Sequence, residues 1–169
     1  MKKQFSILIA EDDDGHFVLI KKHLRKMGFT NRVLRFIDGQ EILDFLLEYN
    51  KQEDDTESLN YLLLLDIRMP KMDGIEVLEQ IKKYPKLKTI PVVMLTSSDS
   101  PVDIERCAKL GCQDYVIKSV GNDVFKEVIN RLAVTFFKSI VKVSVFFITP
   151  CLTHPDFLKL QQQFNINSS

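Results

Sequence analysis

A chain of 169 residues is the size of one domain with a short appendage, and 45% hydrophobic with 27% charged residues is an ordinary globular composition. Lys+Arg and Asp+Glu are balanced at 23 each, so the basic excess that marks non-specific nucleic-acid or membrane-surface binding is absent. Three cysteines, an odd count without CxxC spacing, fit neither a disulfide framework nor a zinc site and read as reduced packing thiols of a cytoplasmic protein.

The N-terminal Met1-Lys2-Lys3-Gln4 leads into too short an apolar run for a signal peptide. Phe5 to Ala10 is apolar and stops abruptly at Glu11, the pattern of a strand buried on both faces. His16 to Met27 places Phe17, Ile20 and Leu24 at helical spacing, and Gly28 is a natural stop. Arg32 to Ile37 reads as a second strand, and Asp38-Gly39 opens a helix with Ile42, Leu43, Leu46 and Leu47 on one face.

The polar stretch Asn50 to Asn60 reads as a surface loop. Tyr61 to Leu65 is strongly apolar and ends in acid at Asp66. Gly74 to Tyr84 is amphipathic and is ended by Pro85. Then come a strand from Ile90 to Leu95 ending in Thr96, a helix from Val102 to Leu110 stopped by Gly111, and a strand from Asp114 to Ile117 ending in Lys118. Asn122 to about Phe137 forms a last helix, capped by Asn122 or Asp123. Five repeats of strand then helix predict an α/β fold with a parallel sheet and helices on both faces.

Right-handed crossovers bring the carboxyl ends of all five strands to one edge, where open sheets of this kind carry their sites. Glu11, Asp12, Asp66, Thr96 and Lys118 fall there. Converging carboxylates need a positive charge to offset them, and an oxygen-only donor set suits a hard cation, Mg²⁺ before Ca²⁺. The EF-hand pattern is absent, because Asp12, Asp13 and Asp14 are consecutive and no Glu follows at the twelfth loop position. Lys118 offers a point charge to a phosphoryl oxygen and Thr96 a hydroxyl. Asp66 is the natural nucleophile, forming an aspartyl phosphate by a transfer that needs mainly positioning and charge neutralisation. Each residue alone has an ordinary explanation as an acidic turn, a strand end, a cap or a surface lysine; the specificity lies in their order on successive strand ends.

The segments ILIAEDD, LLLLDIRMPKMDG, IPVVMLTSS and DYVIKSV resemble the receiver domains of bacterial response regulators, over roughly Gln4 to Val134. The resemblance implies a flavodoxin-like sheet of strand order 2-1-3-4-5 and phosphorylation by a partner sensor histidine kinase. Position by position, it makes Asp66 the phosphoacceptor, Asp12 a direct Mg²⁺ ligand, Glu11 an acid acting through water, and the Arg68 backbone carbonyl a further ligand. Thr96 matches the switch hydroxyl, Lys118 the phosphate-facing lysine and Tyr115 the aromatic that swings inward on activation, with a half-buried strand aromatic as the alternative. Arg68 and Ser98 fall where such domains tune phosphoryl lifetime. The loop Asn50 to Asn60 and the segment Phe136 to Lys142 are similar to the small regulators that accompany bacterial phytochrome kinases. Beyond self-phosphorylation and self-dephosphorylation at Asp66, no enzyme activity is implied.

One departure stands out. Receivers normally carry proline after the lysine, often with a cis bond, whereas Ser119 follows Lys118. A cis bond before a non-proline residue costs about 3 kcal/mol, so the expectation is a trans bond with a shifted loop or a strained cis bond. Either could displace the lysine ammonium.

The organisation expected is a receiver domain at 4–135, an extension of the last helix or a dimer or partner segment at 136–149, and a tail without fixed structure at 150–169. No recognition-helix pattern or basic stripe follows the receiver, which speaks against a DNA-binding module. Leu132 to Ile148 is apolar, but Arg131, Lys138 and Lys142 lie in or beside it, against a transmembrane helix. The output expected is protein–protein contact, with a homodimer through the last helix. The rival from another class is a receiver-like interaction module that no longer uses phosphorylation, favoured only by Ser119. A phosphatase using Asp66 lacks the paired DxD arrangement.

Overall fold

The computed structural model describes residues 5–52, 60–97, 99–118 and 125–129. Along the chain run β1 (Phe5–Ala10), α1 (Asp14–Lys26), β2 (Arg32–Phe36), α2 (Gly39–Lys51), β3 (Asn60–Asp66), α3 (Gly74–Ile81), β4 (Val92–Thr96), α4 (Pro101–Lys109) and β5 (Asp114–Ile117). The strands form one parallel sheet in the order β2-β1-β3-β4-β5. This is the flavodoxin-like order.

Side chains alternate across the sheet, and each strand therefore feeds two cores. Leu8, Leu63, Leu65, Val92 and Met94 join α2, α3 and α4 in one layer, through residues such as Ile42, Leu46, Leu78 and Ile104. Ile7, Ile9, Leu62, Leu64, Val93 and Leu95 face Ile20 and Leu24 of α1, together with Phe125, Val128 and Ile129 of the helical stretch 125–129. Near-continuous apolar runs are what a sheet covered on both faces requires.

Caps decide where the helices begin. The carboxylates of Asp13, Asp38 and Asp73 accept from the amides of His16, Glu41 and Glu76, and Asp73 with Glu76 completes a capping box. Ser100 caps α4 with Pro101 in its first turn. Gly28 and Gly111 take φ of 86° and 73° just past α1 and α4, a backbone region other residues enter at a cost.

Some expected boundaries shift for local reasons. The strand expected from Ile90 starts at Val92, because Pro91 has no N–H to donate and a 3-10 turn at Leu87–Thr89 precedes it. Helix α3 ends at Ile81 rather than Tyr84, and the amides of Lys83 and Tyr84 turn back to the carbonyls of Gln80 and Ile81 in a tightened last turn. β2 ends at Phe36, leaving Ile37 55% exposed. The expected segments 136–149 and 150–169 lie outside the described residues, as do Cys151, Ser119, Ser98 and most of the Asn50–Asn60 loop. Cys107 and Cys112 are thiols packed in the core, not joined in a disulfide. Among the described residues no helix is long and apolar enough to cross a membrane.

Candidate functional site

Parallel pairing delivers the strand ends to one edge. Ala10 pairs with Leu65 and Phe36, Asp66 with Leu95, and Thr96 with Ile117. The Lys118 amide donates to the Thr96 carbonyl at 2.6 Å, carrying β5 one residue past its paired register. Glu11, Asp66, Thr96 and Lys118, far apart in sequence, therefore meet.

The Lys118 ammonium lies 2.6 Å from Glu11 Oε2 and 2.8 Å from Asp66 Oδ2, bridging the two acids. Carboxylate oxygens of Glu11, Asp12 and Asp66 all lie within 4.8 Å of one another. Glu11 and Thr96 are fully buried and Asp66 nearly so, while Asp12 is exposed at the mouth. The Lys118 ammonium thus sits on both carboxylates, while the Lys118–Ser119 bond lies outside the described residues.

Burial pushes the Glu11 carboxyl above its usual range, the Asp66 charge adds to this, and the Lys118 ammonium opposes it. Burial also pulls Lys118 down, but its contacts with Asp66 and Glu11 outweigh that and its pKa is raised. Three carboxylates against one ammonium leave a formal charge of minus two when all are ionised. An oxygen-only set with that charge, one member open to solvent, fits a hard divalent cation such as Mg²⁺. Glu11 Oε1 accepts from the Asp13 amide at 3.3 Å, and His16 Nδ1 stands 3.6 Å from the same oxygen.

Thr96 and Tyr115 are buried side by side, and their side chains are hydrogen-bonded. Tyr115 is only 1% exposed, more deeply buried than a half-buried strand aromatic. Burial raises its phenol far above the ordinary value. Arg68 is exposed, and its amide points to Asp66 Oδ1 at 3.4 Å. A groove beside the site is lined by Asp12, Arg68, Met69, Asp73, Asp103 and Arg106.

The loop after β3 is folded tightly under Asp66. A Cβ on Gly74 would collide with the Asp66 carbonyl, and one on Gly39 with the carbonyl of Met72. Lys71 adopts φ 64° and places its ammonium 2.6 Å from Asp38, whose carboxyl is held below the usual range by that contact. Reading the sequence alone missed Lys71, His16 and Arg35. Arg35 had a signal: once β1 and β2 are paired in parallel, it stands one residue from the end of β2, beside the acidic turn.

A family model described as "Response regulator receiver domain" matches residues 7–130. The probable methanogenesis regulatory protein FilR2 of Methanothrix harundinacea is 38% identical over 76% of this chain and 81% of its own length. The response regulator Rcp1 of Synechocystis is 35% identical over 72% of this chain and 82% of its own. A solved Mn²⁺-bound form of Rcp1 superposes with TM-score 0.64 at 29% identity, covering 81% of this chain and 97% of that one. The bacteriophytochrome response regulator AtBRR superposes with TM-score 0.63 at 31% identity, covering 85% and 99%. Strand order, the acidic cluster at the sheet edge and these matches agree, and the chain belongs to the response regulator receiver domain family.

Proposed function

We propose that the chain is a single-domain response regulator of the cytoplasm that accepts a phosphoryl group on Asp66 from a sensor histidine kinase and signals by protein–protein contact. The observation that carries this reading is the Lys118 ammonium bridging Asp66 and Glu11 beside Asp12. An Asp66 carboxylate oxygen forms the new bond to phosphorus as the bond to the donor imidazole nitrogen breaks, and the imidazole leaves with that electron pair. Lys118 supplies charge to a phosphoryl oxygen. Glu11, Asp12, Asp66 and the backbone carbonyl of Arg68 would hold Mg²⁺, which when bound neutralises phosphoryl charge.

Thr96 and Tyr115 form the switch. The Thr96 hydroxyl turns toward the phosphoryl group, and the buried Tyr115 follows it, biasing a two-state surface around α4 and β5. Arg68, exposed beside Asp66, tunes access of water to the acyl phosphate, and Ser98, two residues after Thr96 in sequence, is given the same part. The likeness to the bacteriophytochrome response regulator AtBRR supports a phytochrome-type kinase as donor. A homodimer or partner contact through 136–149 belongs to the same reading, and that segment and 150–169 lie outside the described residues. The thiols of Cys107 and Cys112 suit a reducing compartment.

Ser119 in place of proline favours a second reading, a receiver-like module that interacts without phosphorylation. Incubating wild type and Asp66→Asn with acetyl phosphate and Mg²⁺ and reading intact mass separates the two. The first requires phosphoryl mass on wild type alone. Wild type that never gains it leaves the second.

A further inference from the structure

Four acids follow one another from Glu11 to Asp14, and like charges in a row push an unsupported turn open. Besides Lys118 on Glu11, one more side chain among the described residues opposes this. Arg35 stands on edge strand β2 in register with Ile9, on the sheet face that carries α1. Its Nε donates to the Glu11 carbonyl at 3.1 Å, its Nη2 to the Asp12 carbonyl at 3.0 Å and its Nη1 to Asp14 Oδ1 at 2.6 Å. The guanidinium also lies over the Phe17 ring, with Cζ 4.7 Å from the centroid. Only 21% of the side chain remains exposed.

Fixing two successive carbonyls fixes the peptide planes that aim the Glu11 and Asp12 side chains, so a planar fork is better suited than a point charge. The Glu11 amide is held as well, donating to the Phe36 carbonyl at 2.9 Å. Both anchors of the acidic turn therefore come from the end of β2. We propose that Arg35 is a positioning residue for the divalent-cation site, holding the Glu11–Asp12 backbone so that its carboxylates face Asp66 before the ion arrives. This rests on the reading of the acidic cluster as a cation site. Arg35 lies in no contact with Asp66 or Lys118 among those described and takes no part in the transfer.

The sign of the effect separates positioning from charge. A cation beside a cation site weakens binding, so a purely electrostatic Arg35 predicts tighter binding once the charge is gone. Positioning predicts the reverse, and Arg35→Lys isolates it by keeping the charge while losing the fork. The test uses the full chain as wild type, Arg35→Lys, Arg35→Met and Asp12→Asn. Mn²⁺ affinity is read from the free-ion electron paramagnetic resonance signal, and amide exchange of residues 11–16 is read without metal.

Arg35→Lys is expected to bind Mn²⁺ about tenfold more weakly, the usual scale for a group that orients metal ligands, and to exchange faster across 11–16. Arg35→Met falls between it and wild type. Arg35→Lys with wild-type affinity and exchange, or Arg35→Met binding more tightly than wild type, overturns the proposal alone, provided wild type binds and Asp12→Asn does not. Wild type that binds no Mn²⁺ removes the cation reading and the proposal with it.

Discussion

Replacing Lys118 by Met keeps most of the length of the side chain and removes the ammonium that touches both Glu11 and Asp66. Glu11 has no exposed side-chain surface, so its carboxylate cannot recover hydration and a buried charge loses its partner. Protonation gives it an exit, and the cost of that exit caps the damage. Holding a carboxyl neutral costs about 1.4 kcal/mol per pH unit above its ordinary value, which is 4.5 for Glu11. The cap is about 3.4 kcal/mol at pH 7 and about 0.7 kcal/mol at pH 5.

The sign agrees with the Glu11 shift. Its pKa is already raised in the folded state by burial, and losing Lys118, which lowers it, raises it further. Folding then takes up a proton, and stability is lost as pH rises through the window from 4.5 upward. For a domain of this size about 3 kcal/mol is about 10 °C in Tm. Differential scanning calorimetry of wild type and Lys118→Met at pH 5 and pH 7 is the assay. The expected deficit is below about 10 °C at pH 7, since wild type already bears part of this cost through the raised Glu11 pKa, and smaller still at pH 5. Added Mg²⁺ narrows the pH 7 gap by replacing the lost charge. A deficit as large at pH 5 as at pH 7, or no deficit at pH 7, would refute the argument that Glu11 depends on Lys118.

Gly74→Ala places a Cβ against the Asp66 carbonyl and should destabilise by about 1–3 kcal/mol, with weaker Mn²⁺ binding because the collision falls on a residue of the proposed cation site; urea unfolding and Mn²⁺ titration check both. Lys71→Ala removes the contact that holds the Asp38 carboxyl down. A depressed carboxyl stabilises above its unfolded value of 3.8 and loses that contribution as pH falls through its folded value. The gap to wild type in urea midpoint should therefore be present at pH 7 and shrink near pH 3. Thr96→Val removes a hydroxyl bonded to the buried Tyr115 and should cost about 1–2 kcal/mol. In wild type, an ultraviolet titration should show the Tyr115 phenol resisting ionisation until the protein unfolds, since burial holds it far above the ordinary value.

The sequence by itself determined the sheet and which residues gather at its carboxyl edge. Apolar runs such as YLLLL specify strands covered on both faces, since only a doubly covered sheet removes both sets of side chains from water. Caps at Asp13, Asp38 and Asp73 and stops at Gly28 and Gly111 act within a few residues, so they are legible locally. Glu11, Asp12, Asp66, Thr96 and Lys118 were legible because parallel topology sends every strand end to one edge.

Tertiary structure alone decided which groups touch. That Lys118 bridges Glu11 and Asp66, that Tyr115 is buried against Thr96, and that Arg35 grips the acidic turn all depend on register and side-chain direction. The ends of β3 at Asp66 and β5 before Lys118 are separated by some fifty residues of chain, and no local pattern measures a gap across them. Periodicity assigns a residue to a face; the distance between two strand ends is set by the packing of the whole sheet.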